Sequence, residues 1–115
     1  MATLTRTVTA ADTALAVGSG DLEVLGTPVV IAWCEAATCA ALALDARLTS
    51  VGTRVDVRHL APSPVGATID VTATVTERTD RTATFAVEAR DGDTVVASGT
   101  VTRAVVDRER FLARL

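Results

Sequence analysis

An antiparallel β-sheet wrapped around one long central helix, an α+β arrangement, is what this 115-residue sequence predicts. Three observations predict it. An alanine-rich apolar run from Thr27 to Leu44 carries a single charge, Glu35, and reads as one helix. Four later segments alternate apolar and polar residues with the period of two that belongs to strands. No helical crossover separates those four, so they pair as adjacent antiparallel hairpins.

Taken in order, Leu4 to Thr9 alternates and forms a short strand, and Ala10 to Gly20 contains a turn and two glycines that mark a loop able to lie over a pocket. Asp21 to Leu25 adds a short helical turn. Thr27 then caps the long helix with its hydroxyl, and Pro28 occupies the first helical position, where a missing N–H costs nothing. Because the helix is apolar on nearly every side, it should be buried on nearly every side.

Thr49 to Leu60 is the first long strand. Strict alternation puts Val51, Thr53, Val55, Val57 and His59 on one face, with Gly52, Arg54, Asp56, Arg58 and Leu60 on the other. The two prolines of Ala61-Pro62-Ser63-Pro64-Val65-Gly66 make a stiff corner. Thr68 to Glu77 and Thr82 to Arg90 follow, joined by a polar turn. Asp91-Gly92 is a hairpin signal, and Thr94 to Val106 is the last strand, in which Gly99 marks a bulge or a close backbone approach. Asp107 caps a terminal turn bearing Phe111 and Leu115. A long sheet curled about one buried helix is the architecture called the hotdog fold.

The length allows one domain, residues 1–115, with little core to spare, so a partner chain is a natural source of further buried volume. All basic residues are Arg and the net charge is −3, which leaves no footprint for a phosphate backbone and argues against nucleic acid. Cys34 and Cys39 lie on different helix faces, so they neither bridge nor converge on a metal, and both read as small buried hydrophobes. The N-terminus lacks a signal-peptide layout, and the apolar helix is too short and too interrupted for a membrane span; a cytoplasmic protein is expected.

Two singular residues face the apolar side of their elements, Glu35 on the helix and His59 on its strand. A carboxylate and an imidazole sharing a cleft suit proton transfer, although either could be a structural polar group satisfied by backbone. Thr27 has ordinary capping as its simplest role. Glu35 follows it by eight positions, so the two are about 12 Å apart along one helix and share a site only if a second subunit supplies one of them or substrate spans the gap. The amides of Val29 and Val30 at the helix start are candidate oxyanion donors, and Gly52 allows close approach of a substrate or another backbone. Arg103 interrupts the apolar end of the last strand, where a guanidinium could hold carrier phosphates.

Several stretches carry a family resemblance. They are Val24-Leu-Gly-Thr-Pro28 with Glu35 beyond it, Ser50-Val-Gly-Thr-Arg-Val-Asp-Val-Arg-His-Leu-Ala-Pro-Ser-Pro-Val-Gly66, and Ser98-Gly-Thr-Val-Thr-Arg-Ala-Val-Val106 with the Arg110-Phe111 tail. Together they resemble the hotdog thioesterases similar to fluoroacetyl-CoA thioesterase, over Val17 to Leu115. The resemblance implies a catalytic set falling on Thr27, Glu35 and His59, with Glu35 as base or nucleophile, Thr27 as positioning hydroxyl or nucleophile, and His59 as proton partner. It also implies hydrolysis of an acyl-CoA at a homodimer interface, with Gly52 near substrate and no cofactor beyond the coenzyme A of the substrate. A dimer of dimers is the next assembly open to it. The chain departs from the family in having no aromatic from Gly18 to Leu25, and Gly99-Thr100-Val101 where the family has Gly-Thr-His. A non-catalytic acyl-CoA or small-ligand binding protein is the alternative on the same fold, and a purely structural subunit contact is a third.

Overall fold

The computed structural model describes residues 1–115. Strand β1 is Ala2–Thr7, followed by a 3-10 turn at Ala10–Asp12 and a short helix α1, Ala14–Val17. The long helix α2 spans Thr27–Leu42, then come β2 (Leu48–His59), β3 (Thr68–Arg78), β4 (Thr82–Asp91), β5 (Thr94–Asp107) and α3 (Arg108–Ala113). All five strands form one sheet in the order β1-β3-β4-β5-β2, each pair antiparallel. The antiparallel sheet expected from the sequence is present, and β3, β4 and β5 are consecutive hairpins, but β2 does not pair with β3 as expected: it crosses to the far edge beside β5, and β1 takes the place beside β3. No helix is long and apolar enough to cross a membrane.

Three local expectations are corrected. Thr27 does not cap α2; Gly26 is the N-cap, Thr27 is the first helical residue and Pro28 the second. The helix stops at Leu42 because Ala43 takes a left-handed conformation, φ 47°, and its amide closes on the carbonyl of Cys39. Asp21 to Leu25 is not helical. It is pinned by bridges instead: Ala14 donates to the Val24 carbonyl and Leu25 to the Ser63 carbonyl.

The sheet packs its concave face on one stripe of α2, burying Val30, Cys34, Ala37 and Thr38. Val30, Cys34 and Ala37 join Ile69, Val71, Phe85, Val87 and Val101 in a single core, each full burial contributing about 1.5–3 kcal/mol for the larger side chains. Burial on nearly every side is not what one chain achieves. Ala32, Cys39 and Ala40 are exposed and Ile31, Trp33 and Ala36 half-buried, because five strands curl over one face only. The exposed Cys39 corrects the expectation that both thiols are buried; Cys34 is buried, and desolvation, reinforced by the charge of Glu35, pushes its thiol up to about 11.

Strand β2 lies at the sheet's edge and contains an irregularity that strict alternation misses. Gly52 is opposite Arg103 and Arg54 opposite Thr102, so Thr53 is the extra residue of a bulge. Beyond it the parity of the strand reverses. Gly52, expected on the face opposite His59, shares the helix-facing side with it. At the centre of β5, Gly99 is a close approach and not a bulge: a Cβ there would lie 2.0 Å from the Asp56 carbonyl oxygen and 2.7 Å from the Val57 Cα.

Gly99→Ala should therefore push two paired backbones apart and lower stability by about 3 kcal/mol. A thermal unfolding curve within a few degrees of the parent would contradict this reading of the β2–β5 contact.

Candidate active site

Release of Thr27 from capping duty leaves its hydroxyl free for another partner. Its Oγ1 lies 2.7 Å from Nδ1 of His59, the last residue of β2, so helix start and strand end are joined by one hydrogen bond. The other ring nitrogen, Nε2, is buried and has no hydrogen-bond partner within the chain. Burial lowers the basicity of His59 below the ordinary 6.5, opposed by a smaller pull from the Ala61 backbone. The imidazole is thus held toward its neutral form, able to accept a proton.

This pair borders a cavity of about 280 Å³. Its walls include Ala14, Val24, Leu25, Leu60 and Pro62, so the loop predicted to overlie a pocket does so through Ala14 and Ser19. The amides of Val29 and Val30, expected to face an oxyanion, both donate to the Gly26 carbonyl. The Thr27 amide makes no such bond and is the free donor at this helix end.

Glu35 sits elsewhere. Its Oε2 is 3.5 Å from Nη1 of Arg103, and a Cβ built on Gly52 would meet the same oxygen at 2.7 Å. Gly52 thus gives the carboxylate room to lie against the strand. Arg103 is 7% exposed, with Nε donating to Ser50 Oγ at 2.8 Å and Nη2 to the Ser50 carbonyl at 3.2 Å. Its guanidinium ties β2 to β5 and points at Glu35 from inside the fold. Ser50, which no sequence signal singles out, anchors that cation.

One chain accordingly brings Thr27 and His59 together and separately brings Glu35, Gly52 and Arg103 together. The two groups are divided by eight residues of helix, about 12 Å, and by seven of strand, about 23 Å. No group of three or more His, Cys, Asp or Glu side chains is placed to hold a metal ion.

The family model described as fluoroacetyl-CoA-specific thioesterase matches residues 8–109. A fluoroacetyl-CoA thioesterase of Streptantibioticus cattleyicolor is 36% identical over 95 residues, which are 81% of this chain and 68% of that protein. A crystal structure of a mutant fluoroacetyl-CoA-specific thioesterase in complex with fluoroacetate and CoA superposes with a TM-score of 0.90 at 31% identity, covering 97% of this chain and 94% of the other. A hot-dog-like protein from Thermanaerovibrio acidaminovorans, 24% identical, matches the fold with a TM-score of 0.87 over 97% of this chain and 84% of its own.

Gly52→Ala should cost little stability, since the group it displaces is the end of a flexible side chain, but should shift the Glu35 carboxylate and cut turnover by about tenfold or more. Unchanged turnover would remove Glu35 from the site. His59 predicts an acid-side effect on stability. Below 6.5 the unfolded chain takes up a proton that the folded chain, with its lowered pKa, resists, so stability present above 6.5 falls as pH drops through the interval between the two values. His59→Gln should flatten that part of a denaturation-versus-pH profile.

Proposed function

Since the chain belongs to the fluoroacetyl-CoA-specific thioesterase family, a family of thioester hydrolases, we propose that it hydrolyses a small acyl-CoA thioester in a site that two copies of the chain build together. The observation that carries this reading is the Thr27–His59 hydrogen bond at the cavity. A hydroxyl bound to an imidazole held neutral by burial is an activated nucleophile beside its base.

A second copy answers the separation of Glu35. The outer edge of β2 is unpaired, and a two-fold axis through Asp56, the midpoint between Gly52 and His59 once Thr53 is bulged out, would pair β2 with itself antiparallel and continue the sheet. Gly52 of one chain then stands beside His59 of the other, both on the helix side. That register carries the partner subunit's Glu35 toward the buried Nε2 of His59, which has no acceptor in its own chain. With Nε2 protonated, Nδ1 is free to accept from Thr27.

In this arrangement Thr27 Oγ1 attacks the thioester carbonyl as its proton passes to His59 Nδ1, and the free Thr27 amide faces the oxyanion. Collapse breaks the C–S bond, and the departing thiolate recovers the proton from His59. Water then cleaves the acyl-threonine ester, its proton going to the carboxylate of the partner subunit's Glu35, and the departing threonine alkoxide takes that proton back through His59, which leaves the carboxylate ionised and the product acid free. Arg103 acts as a positioning residue for Glu35 and does not touch substrate; Val29 packs against the core and is not among the residues lining the cavity, so it steadies the helix start and makes no contact with substrate. The apolar walls of the cavity suit a short acyl chain, the reaction calls for no cofactor beyond the coenzyme A of the substrate, and a cytoplasmic location is part of the same proposal.

The test offers purified protein a panel of short-chain and aryl acyl-CoAs while free thiol is followed. Thr27→Ala and Glu35→Gln should each lower kcat by about 100-fold or more. Refolded together, the two variants should regain roughly a quarter of parental activity, because mixed dimers carry one site with both residues intact. No recovery on mixing would show that Glu35 acts within its own chain, and no turnover on any thioester, with saturable binding, would select a binding module.

A further inference from the structure

At the far end of β5 from its hairpin, a groove of about 300 Å³ is lined by Arg81, Val106, Asp107, Arg110, Phe111 and Arg114. We propose that this groove is the subsite for the nucleotide end of coenzyme A, its three guanidinium groups receiving the phosphates and Phe111 the adenine face. The proposal rests on the acyl-CoA reading of the site and identifies the carrier as a phosphorylated nucleotide.

The charge arrangement is the first argument. Three arginines from two separate parts of the chain, Arg81 in the β3–β4 turn, Arg110 in α3 and Arg114 at the C-cap of α3, converge in a chain whose net charge is −3, although like charges repel. None of the three side chains makes an ion pair or hydrogen bond within the chain, whose two ion pairs are Arg90–Glu88 and Arg103–Glu35. The one acid of the groove, Asp107, is already engaged, its Oδ1 accepting from the Arg110 amide as the cap of α3. Forked guanidinium donors left free in this way match phosphate oxygens, and a half-buried phenyl ring beside them offers a stacking surface.

Position is the second. Arg103, which holds Glu35, and Asp107, which lines the groove, are on one strand, and four residues of strand rise ~13 Å. An extended pantetheine arm spans that distance from a thioester at Glu35. In the proposed dimer the groove belongs to the subunit that lends its Glu35. An acidic carrier protein is the less suitable occupant, since outside this groove it would meet a surface of its own sign.

The double variant R110Q/R114Q tests this, together with R81Q, using one acyl group presented on coenzyme A and on pantetheine. For the coenzyme A ester KM should rise about tenfold with kcat retained, while kcat/KM for the pantetheine ester stays within about twofold. Adenosine 3′,5′-bisphosphate should bind the parent in a calorimetric titration, weaken with added salt, and lose about tenfold in affinity in the variants; the corresponding Arg→Lys changes should restore part of it. Equal KM for the coenzyme A ester in parent and variant, or bisphosphate binding that ignores the substitutions, would overturn the subsite. So would loss of turnover confined to a carrier-protein thioester. If no thioester is hydrolysed at all, the reaction assigned above fails, and the bisphosphate titration still decides the groove by itself.

Discussion

A strand with unbroken alternation cannot place residues seven apart on the same side, yet Gly52 and His59 both face α2 because Thr53 is bulged out between them. The geometry of the site depends on that extra residue. Without it, Gly52 would look outward, and a residue with a side chain would occupy the only place where the Glu35 carboxylate can lie against β2. Arg103 would lose its partner in register as well, since Gly52 is the residue opposite it, and Ser50 two positions earlier supplies two of the three acceptors of its guanidinium. Bulges cost ladder hydrogen bonds, and at a sheet edge that cost is small because the outer side is unpaired already.

The helix start shows a similar exchange. Ordinary capping would turn the Thr27 hydroxyl onto the backbone, but a one-residue shift makes Gly26 the cap and leaves α2 without a side-chain cap, a loss of roughly a few tenths of a kcal/mol. In return the hydroxyl meets His59, and the stiff corner after β2 holds the imidazole in place. The corner is itself fixed by the Ser63 carbonyl accepting from Leu25 and by Leu60 donating to Val96. A polar contact between two elements thus rests on backbone hydrogen bonds to both sides of it.

Much of this was legible in the sequence. The long helix, the strands and the consecutive hairpins of β3, β4 and β5 follow from periodicity, while the crossing of β2 to the edge beside β5 does not, and Glu35 and His59 stand out as the only acid of the helix and the only imidazole of the chain. What was not legible has local causes. A bulge leaves no signature when it falls on Thr, so alternation assigned Gly52 to the wrong face; Thr-Pro reads as cap and first residue whether or not a glycine precedes it; and Ser50 is one hydroxyl among many. The amides of Val29 and Val30 were misjudged because a free N-terminal N–H is found by tracing acceptors, and Gly26 accepts from both.

Three deficits of the single chain have a common direction. The apolar helix is covered along one stripe, β2 has an unpaired edge, and the buried Nε2 of His59 has no acceptor, a shortfall of about 1–3 kcal/mol if left unmet. They lie on neighbouring elements, since His59 ends the edge strand and hydrogen-bonds the first residue of the helix. A ligand in the cavity could approach the imidazole but could not extend a sheet, and a foreign strand could extend the sheet but brings no matching carboxylate. The two-fold copy proposed above would do both in one operation, because the residue that one end of β2 needs is held above the other end. Under that proposal the separation of Glu35 from His59 within a chain would be the geometric condition for their meeting between chains.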